Sequence, residues 1–426
     1  MKESFLHHIW QMQYFDKQNL LTCMKEPVQI FNPGTYNTDA GPDFSNARIR
    51  IGSVEWVGSV EIHTLSSEWI NHHHDEDEAY RNVILHVVWK MDKPIYRSDQ
   101  SLIPTIELRG LIAEDLIMTY RQLVNSSFSI PCQRSFQQVQ PFTRELMLEK
   151  TMITRLERKG REVLHLLDKN GGHWEEIFYQ VLCKKFGFKI NEEPFYLLSK
   201  SLSLRILQKH RDRPEVIEAL LFGQAGFLES KKGDTYYLAL RKEYQYLSRK
   251  YSLVDSRLSK AQWKFLRLRP ANFPTLRIAQ LASMLSKSSS LFSTMMEARR
   301  KNELEDLFRV PPAPYWERHY QFSKKATART HELGQSSIES LLINLVVPFW
   351  AAYAMHHDHS ELMERAMDLL REIAPEKNKI INLWSDLAFE PMNAWQSQAM
   401  IELFNSFCQQ KNCLNCNIGA ALVRPL

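Results

Sequence analysis

Two hydrophobic rhythms follow one another along the chain, and their order restricts what it can fold into. From Ala47 the apolar residues alternate, with Ala47, Ile49 and Ile51 on one face and Arg48 and Arg50 on the other. A period of two is the pattern of a half-buried strand. Gly52-Ser53 supplies turn chemistry, and residues 54–63 read as the return strand, with a bulge expected at Gly58. On that strand Val60 and Ile62 share one face while Glu61 and His63 share the other. Residues 75–82 are expected as a short helix, 83–89 as a buried strand interrupted only by His86, and 102–108 as an edge strand. Upstream, Phe5, Ile9, Trp10 and Met12 give residues 3–15 a helical face. Pro27, Pro33-Gly34 and Asn37-Thr38-Asp39 mark residues 27–40 as loop.

After a polar connection at 126–140 the period changes to 3.6. Helices are expected at 143–168, 173–186, 194–209, 214–228, 235–251, 258–266, 275–300, 336–357, 359–372, 376–386 and 391–408. The pattern describes an α+β chain: a small mixed-sheet domain followed by a larger all-helical one. Its divisions fall at 1–125 for the sheet-containing, candidate catalytic domain, 126–140 for the linker, 141–407 for the helical domain and 408–426 for a cysteine-containing tail. The most apolar stretch, 341–355, is interrupted by Asn344 and Pro348 and is too short to cross a bilayer, so it is expected as a buried helix pair. The opening MKESFLHHIW lacks the apolar run of a signal peptide. The expected location is the cytoplasm, with no membrane partner.

Charge is unevenly divided. Residues 1–110 hold ten Lys and Arg against fifteen Asp and Glu, so with a total of +5 the remainder carries +10. An acidic domain joined to a basic one suits a metal site beside a polyanion-binding surface, with nucleic acid as the expected partner. Arg48, Arg50, Arg267, Arg269 and Arg277 are candidate phosphate contacts, the last three surrounding the turn Pro270-Ala271-Asn272-Phe273-Pro274. Two further basic clusters occur: Arg155, Arg158, Lys159 and Arg161, and Arg241, Lys242, Arg249 and Lys250. Carboxylate pairing between helices is the alternative role for any of these arginines.

The stretch 41–89, with RPANFP at 269–274, EALLFGQAG at 218–226 and CLNCNIG at 413–419, resembles the bacterial domain of unknown function (DUF) family 2851 over nearly the whole chain. That family supplies no activity. The order of elements around Asp43 and Glu61-Ile62-His63 is similar to the PD-(D/E)xK nuclease core, in which a helix precedes a strand meander and a second helix leads to a further strand. The resemblance implies a site in which Asp43 and Glu61 hold Mg²⁺ or Mn²⁺ through oxygen ligands. The metal then activates water for phosphodiester hydrolysis. His63 stands where that core has lysine and would orient the attacking water in its place; this departure from the pattern also admits a softer metal such as Mn²⁺ or Zn²⁺. Glu3 would be an additional acid, and Tyr80 would contact DNA or the metal shell.

A second constellation is His72-His73-His74-Asp75-Glu76-Asp77. His72 and His74, with Asp77, suit a transition metal, and a site centred on His63, His74, Asp77 and His86 describes a histidine-rich metallohydrolase acting on a small substrate. His72 and His73 are expected in solvent, with Asp75 capping a helix start. A third reading is a non-catalytic scaffold on a degenerate nuclease fold, in which Asp43, Glu61 and His63 would face separate surfaces. At the other end, Cys408, Cys413 and Cys416 fall within nine residues, a spacing suited to metal. A structural zinc ion or 4Fe–4S cluster needs a fourth ligand. Cys132 is the expected one, and Cys183 and Cys23 are less suited. The arrangement is similar to RecB-like nucleases that clamp their nuclease domain with such a cluster, except that Cys132 follows the proposed catalytic motifs.

Overall fold

The computed structural model describes residues 1–287, 290–327 and 332–424. It is mixed α and β, with a mixed sheet in the N-terminal part and helices dominating thereafter. The chain forms two compact units. The first comprises Met1–Leu148, Ser385–Ala388 and Leu403–Leu426, and the second comprises Glu149–Trp384 and Phe389–Glu402. Both the 126–140 connection and the cysteine tail therefore belong to the sheet-containing unit.

That unit opens with helix α1 (Glu3–Met12), followed by strands β1 (Val28–Asn32), β2 (Thr35–Tyr36), β3 (Phe44–Ile51) and β4 (Val54–Leu65). A short helix α2 (Glu68–Asn71) leads on to β5 (Val83–Lys90) and β6 (Thr105–Glu107), and helix α3 is Glu114–Val124. The sheet runs β1-β3-β4-β5-β6, with β2 also paired to β3. Strands β1, β3 and β4 are antiparallel, whereas β5 lies parallel to β4 and β6 parallel to β5. Gly52 turns the β3–β4 hairpin at φ +62°, a conformation glycine adopts without a Cβ penalty.

The pairing slips between Phe44 and Ala47, where β3 carries one extra residue. The bulge thus lies on β3, with Asn46 left-handed at φ 59°, and not at Gly58. Gly58 has a different reason to be glycine: a Cβ there would stand 2.5 Å from Ile84 Cγ2 and 2.6 Å from the Asn82 carbonyl oxygen. It allows the start of β5 to approach β4.

Ala47, Ile49 and Ile51 are buried and Arg48 and Arg50 exposed, as the alternation requires. On β4 both faces are covered from Val60 to His63. Helix α1 packs on β4, burying Phe5, Leu6, Ile9 and Trp10. Phe5 stacks on Tyr120 of α3, ring centres 4.2 Å apart. Each such buried side chain stabilises the unit by about 1.5–3 kcal/mol. Helix α3 was not expected from the sequence, although Leu116, Tyr120 and Leu123 fall on one buried stripe.

Helix α4 (Pro141–Lys169) contains the boundary between the units. The second unit is helical apart from a two-stranded ribbon at His319–Gln321 and Lys324–Lys325. The expected helix at 194–209 divides into Glu192–Ser201 and Leu204–Gln208, and at 258–266 only a single 3₁₀ turn, Lys260–Gln262, forms. Within 275–300 the helices are Pro274–Lys287 and Leu291–Glu297; Ser288 and Ser289 lie outside the described residues.

The apolar 341–355 stretch is not a helix pair but part of one continuous helical run, Gln335–His357. A π-helical turn at Leu342–Val346 precedes Pro348 and accommodates the proline's missing N–H without breaking the run. The run is long and apolar enough to cross a membrane by length and composition, yet 72% of its most apolar window is buried.

Candidate metal centre

The β4–β5 pair builds the site. Their parallel register sets Glu61 beside His86 and His63 beside Val88, so Glu61, His63 and His86 project from the same face. Immediately after β4 the chain enters α2, whose Glu68 accepts hydrogen bonds from the Thr64 and Leu65 N–H groups at 2.8 and 2.9 Å. This clamps the strand end and folds the histidine string back over the strand.

The string returns two of its rings to the face. His72 Nδ1 lies 3.2 Å from His63 Nε2, and His74 Nε2 lies 3.3 Å from Glu61 Oε1. His63 Nε2 itself is 3.6 Å from Glu61 Oε1. One nitrogen each from His63, His72 and His74 falls within 4.8 Å of the others, a separation suited to three ligands of one ion. His74 is held by Tyr80, stacked on it at 3.7 Å between ring centres.

Asp43 enters from the start of β3. Its N–H donates to Glu61 Oε2 at 3.0 Å, and its Oδ2 accepts from the Ile62 N–H at 2.9 Å. Helix α1 adds His7, whose Nε2 is 3.2 Å from Asp43 Oδ2, and Glu3, one helical turn earlier.

Burial and these neighbours set the protonation states. Burial, reinforced by His74 and His72, pushes His63 down to about 4. Burial, then His63 and His74, also holds His86 well below the usual imidazole value. Both rings are therefore neutral at pH 7, the state a metal ligand requires. Burial raises Glu61, with Asp43 adding to the effect against hydrogen bonding from His74. Burial followed by repulsion from Asp43 raises Glu3. For His7 burial opposes the charge, but Asp43, Glu3 and Glu61 outweigh it and its pKa is raised. Tyr80 is pushed up to about 12 by burial, Glu61 and Asp43, and stays a neutral phenol.

The donor set fits a divalent transition metal. Imidazole nitrogens and a carboxylate converge, and an uncharged ring stands behind them: His63 Nδ1 and His86 Nε2 are 2.9 Å apart. With the shared proton on His63 Nδ1, its Nε2 lone pair faces His72 and Glu61. His86 Nδ1, fully buried, then meets no hydrogen-bond partner among the described residues. His86 orients His63 and is not itself at the focus.

The expected residues thus divide. Asp43, Glu61, His63, Glu3, His74 and Tyr80 come together. Asp77 is exposed, its Oδ1 accepts from the Ala79 N–H at 2.9 Å as the cap of a 3₁₀ turn (Glu78–Tyr80), and it lines the same cavity as His74 and Tyr80. His72 is exposed, as expected, and one of its ring nitrogens nevertheless lies within 4.8 Å of those of His63 and His74; His7 is a further neighbour. The Glu3-x-x-x-His7 spacing could have revealed it.

The basic residues separate in the same way. Arg48 and Arg50 are exposed on β3, pair with Glu55 and lie over the Phe31 ring. In the second unit Arg267 and Arg269 are exposed. Arg277 is a correction: it is buried, 4.3 Å from the Phe188 ring centre, and donates to Asn272, Gln280 and Ser337. A guanidinium used this way cannot reach a phosphate. Arg158, Lys159 and Arg161 follow the carboxylate-pairing alternative, meeting Glu402, Glu162 and Glu157.

A mixed sheet presenting three imidazoles and two carboxylates defines an α/β protein with a candidate metal centre. The chain belongs to the family described as protein of unknown function (DUF2851), whose model matches residues 3–379. No curated protein and no solved structure matches the chain.

Proposed function

We propose that this protein is a metal-dependent hydrolase that cleaves phosphodiester bonds in nucleic acid. The observation carrying the reading is the convergence of His63, His72 and His74, two of which face Glu61, with Asp43 tied to the same strand. His63, His72, His74 and Glu61 would hold the ion. When bound, it supplies a Lewis acid and a more acidic water. Nitrogen donors favour Mn²⁺ or Zn²⁺ over Mg²⁺. Asp43 and the raised His7 form an acid–base couple beside it, in reach for holding or moving a proton at the attacked phosphate.

The order helix, antiparallel meander, helix, parallel strand supports likeness to the PD-(D/E)xK core, with an ExH variation at Glu61 and His63. Lys2, His7 and Lys411 line one cavity of about 100 Å³, which supports an anionic substrate. The closeness of Asp43, Glu61 and His63 speaks against a degenerate scaffold, which has no need to gather them.

A second reading has one observation in its favour. A cavity of about 160 Å³ lined by Trp69, His74, Tyr80, Arg81 and Arg97 would suit a small substrate. The experiment is cleavage of single- and double-stranded DNA and RNA with Mn²⁺, Zn²⁺ or Mg²⁺, beside a small phosphodiester ester. The expected result is nucleic-acid cleavage, strongest with Mn²⁺ or Zn²⁺ and abolished in Glu61→Ala. Folded wild-type protein that turns over only the small ester favours the second reading; no turnover with any metal contradicts both.

A further inference from the structure

Cys132 and three cysteines of the C-terminal segment, Cys408, Cys413 and Cys416, lie in the first unit, near enough to act on one another electrostatically and in a place the hydrolytic centre does not use. Cys132 lies in the turns before α4. Cys408 ends the π-helical turn Phe404–Cys408. Cys413 and Cys416 share the next turn, where the Cys416 N–H donates to the Cys413 carbonyl at 3.2 Å. The helix Asn417–Leu422 follows, seated so closely that a Cβ on Gly419 would stand 2.2 Å from the Cys413 oxygen. All four side chains are buried at 7–8% exposure and none is in a disulfide.

Every pair among the four is close enough for one thiolate to disfavour another. Burial first, and then these neighbours, push Cys132 up to about 12 and Cys413 to about 11, and raise Cys408 further. Gathering four such thiols in an apolar setting gives little by packing that other small apolar residues would not give. Cys183 shows the contrast: a fully buried thiol whose neighbour is Tyr179, with no other cysteine near it.

We propose that Cys132, Cys408, Cys413 and Cys416 ligate a 4Fe–4S cluster that fastens the C-terminal segment to the sheet-containing unit. The spacing separates this from a zinc site. A tetrahedral ion with bonds of about 2.3 Å draws its sulfurs to within roughly 4 Å of each other. Among the described residues, three ligand atoms stand within 4.8 Å at His63, His72 and His74, whereas the thiols form no such triple. A cubane cluster holds its four thiolates further apart. Ligation of a preassembled cluster replaces four S–H bonds with four S–Fe bonds and releases four protons, with no net oxidation or reduction. The inference is independent of the chemistry at His63, so either can fail alone.

The test is iron, acid-labile sulfide and zinc analysis of the full chain purified without oxygen, with its visible and Mössbauer spectra. Expected are about four iron and four sulfide per chain. The visible charge-transfer absorption should be lost in Cys413→Ser and Cys416→Ser and kept in Cys23→Ser. Removing the iron should lower the midpoint of thermal unfolding. If the serine variants do not fold, the wild-type metal content decides alone. One zinc and no iron overturns the proposal, as does a folded chain carrying neither.

Discussion

Each unit buries a carboxylate, and the two are treated differently. In the helical unit Glu218 sits in a closed cage: Tyr236 Oη donates to its Oε2 at 2.5 Å and Trp316 Nε1 donates to its Oε1. Burial pushes it up to about 7 against those hydrogen bonds. In the sheet-containing unit Glu61 receives one backbone N–H and faces two imidazole nitrogens, at 3.3 and 3.6 Å. Glu218 has donors enough without any addition, so its role is structural. Glu61 accepts from the Asp43 N–H and faces His74 and His63, beside a histidine triad whose nitrogens could hold a metal ion.

Substitutions at the two glutamates should break or sharpen this contrast, and the largest effect is at Glu61. Glu61→Gln should abolish metal-dependent cleavage while leaving the thermal midpoint of the metal-free protein unchanged or higher, because a raised, buried carboxyl is replaced by a neutral amide. Glu218→Ala should do the reverse. It removes the acceptor of the Tyr236 hydroxyl and leaves a cavity, so denaturant unfolding should show a loss of about 2 kcal/mol with metal binding intact. Equal effects on both properties in both variants would erase the distinction.

The two sites should also answer pH with opposite sign. Glu218, normally at 4.5, is raised to about 7, so the native state binds the extra proton. Stability should fall as pH rises from 4.5 to 7, by about 3 kcal/mol for this group, and Glu218→Gln should flatten that slope. His63, normally at 6.5, is lowered to about 4. Its contribution is present above 6.5 and is lost as pH falls through 4. Unfolding curves of the metal-free protein across this range, with each variant, check both signs.

Smaller effects follow. His86→Gln should weaken metal affinity or activity by about 10–100-fold, the usual cost of losing a group that orients a ligand. Tyr80→Phe should change little, because the phenol stays protonated and the ring stack on His74 survives.

The β3–β4 hairpin was legible because one face of β3 is wet: alternation at Ala47, Ile49 and Ile51 is visible only when Arg48 and Arg50 look outward, whereas β1 and β2 fall in 27–40, whose prolines and glycine read as loop. That Glu61 and His63 lie together was legible for a related reason, since two residues apart on a strand share a face. The placing of the His72 ring beside His63 was not legible, although its place in the histidine string made it one metal candidate. That placing depends on where a four-residue helix leaves the chain, and no periodicity records that. Arg277 misled because bases in turn-rich segments look alike whether they face a ligand or fill a core. Only position separates Arg277 over Phe188 from Arg267 in solvent. The π-turn before Pro348 was also invisible, because a proline in an apolar run normally marks a break.

The most direct test of the central claim is a crystal structure of the full chain grown with Mn²⁺, with anomalous diffraction collected to locate the ion. The account predicts one anomalous peak bounded by His63 Nε2, His72 Nδ1, His74 and Glu61, absent from crystals of Glu61→Gln. Well-ordered histidines at the same positions with no peak between them, at saturating Mn²⁺, would contradict it.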